Sequence, residues 1–406
     1  MAQFGERYRA YKRRMPGVLP FLKGLTVAAI FYLATVSLYA TAQSFEATRL
    51  LDGEPIISAA SFTAVGASTL ESASINGPSV IRIPDWVPVH ERAAPDALYY
   101  LYFAHHKGRY IRMAWAQNPR GPWHLYNTGG TAPDGRRGVL DIGDDRQLDL
   151  GDGMVIQRHV ASPDVQIDNE NRRLLMYFHG PVKPGHGLRA VQRTLVATSR
   201  WGLDFSQDIK AAILGPSYFH VFQHDNETYA LSRHSLFTPR NSEAPFVVPP
   251  QVEASANLWI QKETRIFVTT PGVAPHSSES QQNGRRDKPA LQVRHLGLYP
   301  LPGRLHVFFT VRGHAPERIL MTTVNTDAEG WQDLTSTQPP TEILRPELAW
   351  EGGEAPLTPS LKGMADGLQN QLRDPYIFED GGDIYLFYAG GGEQAIGLAQ
   401  LTEVTP

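Results

Sequence analysis

The chain of 406 residues is 42% hydrophobic with a formal net charge of −3, so it holds ample material for a large core, and its charge balance excludes a general nucleic-acid or membrane-surface binder. It contains no cysteine, which excludes disulfides and thiolate metal sites and leaves the redox compartment open.

In residues 1–42, Arg7, Arg9, Lys12, Arg13, Arg14 and Lys23 precede an apolar run from Gly24 to about Ala42 that ends in Ala40-Thr41-Ala42. Charged, then apolar, then small is the order of a secretory signal peptide. Roughly 20 apolar residues can also span a bilayer, so an uncleaved anchor through residues 18–42 is the alternative. The Arg13-Arg14 pair is followed by Met-Pro-Gly, a weak match to a twin-arginine signal. Either route puts the body outside the cytoplasm, secreted or periplasmic in the first case and membrane-anchored in the second.

Residues 43–74 are rich in Ala, Ser and Thr and read as a linker. Their one strand-like patch, 55–58, is expected to supply the outer strand that the end of the chain lacks after 396–401, since a propeller commonly closes by pairing its two termini.

From residue 75 to 406 one pattern occurs five times: an apolar strand opening near a Pro, a gap, an aromatic-rich second strand ending in His, Arg or Gly, and a returning third strand. The units start at Asn76-Gly77-Pro78-Ser79, Ser162-Pro163-Asp164, Gly215-Pro216-Ser217, Arg294-His295 and Arg373-Asp374-Pro375. Their second strands are 99–104, 174–178, 228–232, 305–311 and 384–389. A small sheet repeated at long period must stack on its neighbours to bury both faces, and this predicts an all-β, single-domain, five-bladed β-propeller. Two insertions interrupt it: 128–157, rich in Gly and Asp and expected at a site rim, and 239–289, with an expected strand at 264–269 and a polar tract at 277–288. Residues 345–372 read as a third rim loop. Gly390-Gly391-Gly392 joins two strands and is a hairpin rather than a phosphate loop.

In an up-and-down blade the first-strand start and the second-strand end share one rim. That rim should collect Asn76, Asp164, Ser217, His295 and Asp374 from the starts. From the ends it should collect His105, His106, His179, Arg233, His234, Arg312, His314 and Glu393. Turns are polar anyway, but they normally use Gly, Asn, Asp and Ser. Imidazole and guanidinium gathered on one rim point instead to a shared pocket. Asp164 and Asp374, each beside a Pro, are expected near the axis facing one cavity, where two confined carboxylates have their pKa values pushed apart; the competing reading is that Asp-Pro is only a turn signal. We therefore take Asp164, Asp374, His105 and His179 as candidate catalytic groups. Asn76, Trp86, His106, Arg233, His234, His295, Arg312, His314 and Glu393 are candidate ligand contacts. Trp86 and Trp350 are candidate platforms for sugar faces. Arg233, Arg294 and Arg312 fit an anionic glycan through bidentate contacts, unless they are consumed by Asp164, Asp374 and Glu393.

The blade rhythm, Ala161-Ser162-Pro163-Asp164 followed by the run from Arg173 to His179, the run from Ala116 to Trp123, and Leu372-Arg373-Asp374-Pro375 with the strand after it resemble the five-bladed propeller glycosidases: arabinanases, β-xylosidases, invertases, levansucrases and mannoside phosphorylases. The resemblance covers roughly residues 75–401. It implies an Asp on the first blade as base or nucleophile, an Asp on the second tuning the acid, and a Glu on the third as the acid. Asp164 matches the second. Gly77 stands where the first would be, and Leu214-Gly215-Pro216 lacks the Glu of the third, so the hydrolase triad is degenerate. Three readings follow: a glycoside hydrolase-like enzyme with a rearranged acid/base set, a carbohydrate-binding propeller without catalysis, and a divalent-metal site built from His and carboxylates. A carbohydrate ligand and a monomeric state are expected.

Overall fold

The computed structural model describes residues 44–128, 135, 137–249, 256–264, 292–336 and 339–404. The signal or anchor segment, the polar tract 277–288 and residues 265–269 lie outside these. Strand β1 (Ser44–Arg49) opens the described chain. The first blade is β2 (Asn76–Arg82), β3 (Tyr99–Ala104), β4 (Tyr110–Ala116) and β5 (His124–Tyr126), with β6 (Leu140–Asp141) paired to β4. A hairpin, β7 (Gln147–Asp149) and β8 (Met154–Gln157), leads to the second blade: β9 (Ala161–Asp168), β10 (Arg173–Pro184) and β11 (Val191–Ser199). The third blade is β12 (His220–His224), β13 (Glu227–Ser232), β14 (Ser235–Pro239) and β15 (Trp259–Glu263). The fourth is β16 (Gln292–Leu301), β17 (Arg304–Arg312), β18 (Ile319–Asn325) and β19 (Thr341–Leu344). The fifth, β20 (Arg373–Asp380), β21 (Asp383–Gly390) and β22 (Ala395–Val404), takes β1 as its outer strand. The fold is the five-bladed β-propeller that the repeat predicts.

Period-two alternation along each second strand builds the core. Successive side chains of a strand point to opposite faces, and both faces of a blade are covered. Tyr100 and Tyr102 therefore join Val165, Met176 and Phe178 between blades one and two, whereas their neighbours Leu101 and Phe103 join Phe387 between blades five and one. Tyr177 packs with Phe237 and Trp259 of the third blade. Phe309 faces Tyr229 and Leu231, and the adjacent Phe308 faces Leu386. Each aromatic second strand thus supplies two inter-blade cores, which is why these strands read as continuous apolar runs.

Closure differs in detail from the expectation. The outer strand is β1, antiparallel to β22 from Ser44↔Val404 to Arg49↔Ala399, and the 55–58 patch contributes only an isolated bridge, Ile57↔Ile396. Phe45 decides this. It is buried against Tyr299, His306 and Phe308, and Arg49 pairs with Glu347 at 2.7 Å and with fully buried Glu351 at 2.8 Å. The third blade also starts later than expected: Gly215 bridges Thr194 of the second blade, and the inner strand begins at His220. Its outer strand, Trp259–Glu263, ends just before the position expected for it. The 128–157 insertion carries β6 and the β7–β8 hairpin, with β8 pairing to the overlong end of β10.

Candidate functional site

Four of the five inner strands shift register at their starts, between Asn76 and Ser79, Ala161 and Asp164, Val293 and Leu296, and Arg373 and Tyr376. A bulge re-aims side chains, here into a shared cavity. Its tip adopts left-handed backbone at Gly77 (φ 62), Ser162 (φ 47) and Asp374 (φ 48), and Tyr218 (φ 69) occupies the matching place before the third inner strand. Three of these are not glycine. Left-handed backbone at such residues is strained and concentrates at functional sites.

Around these tips lies a cavity of about 60 Å³. Of the candidates from the sequence, Asn76, His106, His179, His295, Asp374 and Glu393 line it; Ala161, Ser162, His159, Gln192 and Tyr218 complete the wall. Asp374 Oδ1 lies 3.2 Å from His295 Nε2. Burial and the nearby Glu393 charge push the Asp374 carboxyl up to about 6, against the opposing pull of Arg373, Arg294 and a Gly77 backbone N–H. Burial alone would also raise Glu393, but His106, Arg373 and Ser74 outweigh it and hold Glu393 down to about 2. Its Oε2 accepts from Ser74 Oγ at 3.0 Å and Asn76 Nδ2 at 3.3 Å, while Oε1 receives Arg373 and faces His106 Nδ1 at 3.3 Å. The two carboxyl groups of one cavity thus hold different protonation states, one acid neutral at mildly acidic pH and one ionised.

Histidine lines the remaining wall. Burial lowers His159 to about 4 and drives His179 and His295 well below the usual imidazole range, so all three are neutral near pH 7. Nδ1 of His179 and of His295 are buried without a hydrogen-bond partner in the protein. Tyr218 sits between these two rings, with centroids at 4.5 and 5.6 Å, and Arg233 covers its face at 5.4 Å. His159 arrives at the end of the 128–157 insertion and pairs with Gln192 at 3.0 Å.

Other candidates lie elsewhere. Asp164 follows the second-blade bulge rather than forming its tip. It is buried outside the cavity wall, with Oδ2 accepting the Val221 N–H at 2.8 Å and the Gln166 amide at 3.2 Å. The expectation that Asp164 and Asp374 face one cavity therefore gives way to one in which Asp164 fastens the second blade to the third. His105 turns into its own loop, where Nδ1 accepts the Lys107 N–H at 3.0 Å. Arg312 binds Gln292, His234 receives Thr264 at its carbonyl, and His314 receives the Ser360 N–H at 3.1 Å. None of these lines the cavity. Trp86 follows the far end of β2 and bonds Asn169, in the β9–β10 turn, at 2.9 Å, which puts it on the opposite rim. Trp350 is structural: it stacks on Tyr388 and donates to Gly53 O at 2.7 Å.

No Lys or Arg side chain lines the cavity. Arg294 is bound by Glu317 at 2.8 Å and by Leu361 O at 3.0 Å, so its charge is spent inside the wall. Among the described residues no group of three or more His, Asp or Glu side chains is arranged to hold a metal ion. Tyr218 and His159 escape the sequence reading for different reasons. Tyr218 was hidden because Gly215-Pro216-Ser217 imitates a blade start, and His159 because an insertion carries it.

No model of a known protein family matches the sequence. The chain is similar to the uncharacterized protein R118 of Acanthamoeba polyphaga mimivirus, 31% identical over 340 residues, which cover 81% of this chain and 83% of that protein. Among solved structures it resembles a glycosyl hydrolase from Bacteroides ovatus, with a TM-score of 0.50, 11% identity and coverage of 88% of this chain and 93% of that one. It also resembles a β-xylosidase/α-arabinofuranosidase of family GH43 from a compost microbial metagenome, solved with xylotriose, with a TM-score of 0.44, 12% identity and coverage of 89% and 96%. At such identities the likeness to solved structures is one of fold.

Proposed function

Because the chain belongs to one family with the mimivirus protein R118, whose name states no activity, we propose a function from the site itself: an enzyme that acts on the glycosidic bond of an uncharged oligosaccharide, with Asp374 as proton donor. The observation that carries this is the raised Asp374 carboxyl beside ionised Glu393 in one polar cavity. Two carboxyl groups with separated protonation states are what acid-assisted glycoside cleavage requires. Asp374 protonates the departing oxygen. Glu393, fully engaged by Ser74, Asn76, Arg373 and His106, stabilises positive charge that develops on the sugar. The unpartnered Nδ1 of His179 receives from or donates to a hydroxyl.

The absence of Lys and Arg from the wall favours a neutral over an anionic glycan, since the wall offers an added carboxylate no guanidinium or ammonium partner. Export through residues 1–42 is part of the proposal, with a secreted or periplasmic site of action. Complete engagement of the Glu393 oxygens also suits a second reading, a carbohydrate-binding propeller without turnover.

A screen of neutral and acidic oligosaccharides, with product analysis and calorimetry on native protein and Asp374→Asn, separates these. The enzyme reading expects kcat to fall about 10²- to 10⁴-fold with binding kept. Binding without product in the native protein establishes the second reading, and a response confined to acidic glycans overturns the assignment of a neutral substrate.

A further inference from the structure

Beside the Asp374–His295 pair lies a second void of about 10 Å³, bounded by His220, His295, Asp374, Tyr218 and the bulge residues Gly77 and Ser162. That volume is about the least that holds one water, which also needs two or more polar partners. They are present. His295 lines both the cavity and the void; its Nε2 faces Asp374 at 3.2 Å, and its Nδ1 is a buried atom without a partner in the protein. Across the void stands His220, whose Nδ1 lies 3.7 Å from Asp164 Oδ1. The other Asp164 oxygen is held by the Val221 N–H.

We propose that a single water occupies this void and joins His295 to His220, so that Asp164 and His220 are positioning residues that set the tautomer of His295 and thereby keep the proton on Asp374. The direction of the chain follows from its end. At 3.7 Å the Asp164 carboxylate is too distant for a good hydrogen bond, yet close enough to favour the His220 tautomer with hydrogen on Nδ1. His220 Nε2 is then an acceptor and takes a hydrogen bond from the water. The water oxygen accepts Nδ1–H of His295, leaving the His295 Nε2 lone pair toward Asp374. A carboxylate facing that lone pair is repelled, whereas a carboxylic acid donates its O–H to it. Each hydrogen in the chain is assigned to one link, and no proton is gained or lost along it. This gives a use to Asp164, a buried acid outside the cavity wall. The proposal rests on the assignment of Asp374 as proton donor only for its catalytic meaning.

Its tests need no substrate, so failure to find glycan turnover leaves them informative. A crystal structure of the native protein at high resolution is expected to show one water within about 2.7–3.2 Å of both imidazoles. A dry void, or a divalent cation there with three or more protein ligands, overturns the proposal. Asp374 is then titrated by carbon-13 carboxyl NMR in ligand-free native protein, Asp164→Asn and His220→Phe. The groups facing Asp374 are His295 and Arg294 from the fourth blade, Arg373 and Glu393 from the fifth, and Tyr218 from the third, and neither substitution removes any of them. Both variants are expected to lower the Asp374 midpoint by about one pH unit, a tenfold shift toward the ionised form at a given pH. Asp164→Asn keeps the shape of the side chain and serves if His220→Phe does not fold. An unchanged midpoint in a folded variant refutes the chain.

Discussion

Left-handed backbone at Gly77, Ser162, Tyr218 and Asp374 ties the site to individual residues. At Gly77 the conformation is free of strain, and an added Cβ would meet Ser162 Cα at 3.4 Å. Gly77→Ala is expected to cost about 1–2 kcal/mol through its positive φ. Ser162→Gly, at the equivalent tip of the next blade, is expected to stabilise the protein by up to about 1 kcal/mol. Urea unfolding of both variants checks the pair, and equal destabilisation by the two would contradict the account of strain. Part of this was legible in the sequence: Asn76, His106, His179, His295, Asp374 and Glu393 were singled out because blade geometry sends strand starts and ends to one rim. Asp164 lies outside the cavity because the bulge sits before it, and a shift of two positions moves a carboxylate from the cavity wall to the seam between blades.

Closure of the ring is a property of elements. β1 has six residues and little intrinsic strand preference, yet it covers the edge that β22 would otherwise expose. Phe45 and Arg49 account for its hold. Phe45→Ala is expected to cost about 3–5 kcal/mol, the range for a buried aromatic. Arg49→Met should cost a similar amount, roughly 3–5 kcal/mol, because it leaves the fully buried Glu351 unpaired. Hydrogen exchange offers a sharper readout than global stability: protection should fall first in residues 395–404 of β22. Uniform loss over all blades would mean that closure is not the weak point. The sequence pointed to a terminal strand but chose residues 55–58, since Pro55-Ile56-Ile57 is the more apolar patch. A single Phe with a partner surface on the fourth blade outweighed that local preference.

At the scale of the molecule, the buried ionic chain Arg294–Glu317–Arg373–Glu393 links the fourth and fifth blades beneath the site and makes stability depend on pH. Glu393 is depressed from 4.5 to about 2. The folded state therefore binds its proton less readily than the unfolded chain, and the stabilisation is present above pH 4.5 and lost as the pH falls toward 2. Its contribution is on the order of 3 kcal/mol. Asp374 has the opposite sign: raised to about 6, it favours the folded state below pH 4, and that contribution is lost as the pH rises through 6. Stability measured from pH 2 to 7 should accordingly show a steep acid limb that is flattened in Glu393→Gln. A limb of unchanged steepness in that variant would assign the acid sensitivity to other carboxylates.

The sequence by itself determined the number of blades, the second strand of each and the rim on which polar residues collect, because these follow from a repeating period-two pattern that local chemistry writes into every unit. The tertiary structure alone decided which of those polar groups share a cavity. Glu317 and Gln292 engage Arg294 and Arg312, His105 turns into its own loop, and an insertion delivers His159. The bulges chose Asp374 over Asp164. These outcomes turn on bulges, an insertion and the partners that individual side chains find on folding, and none of these leaves a period in the sequence.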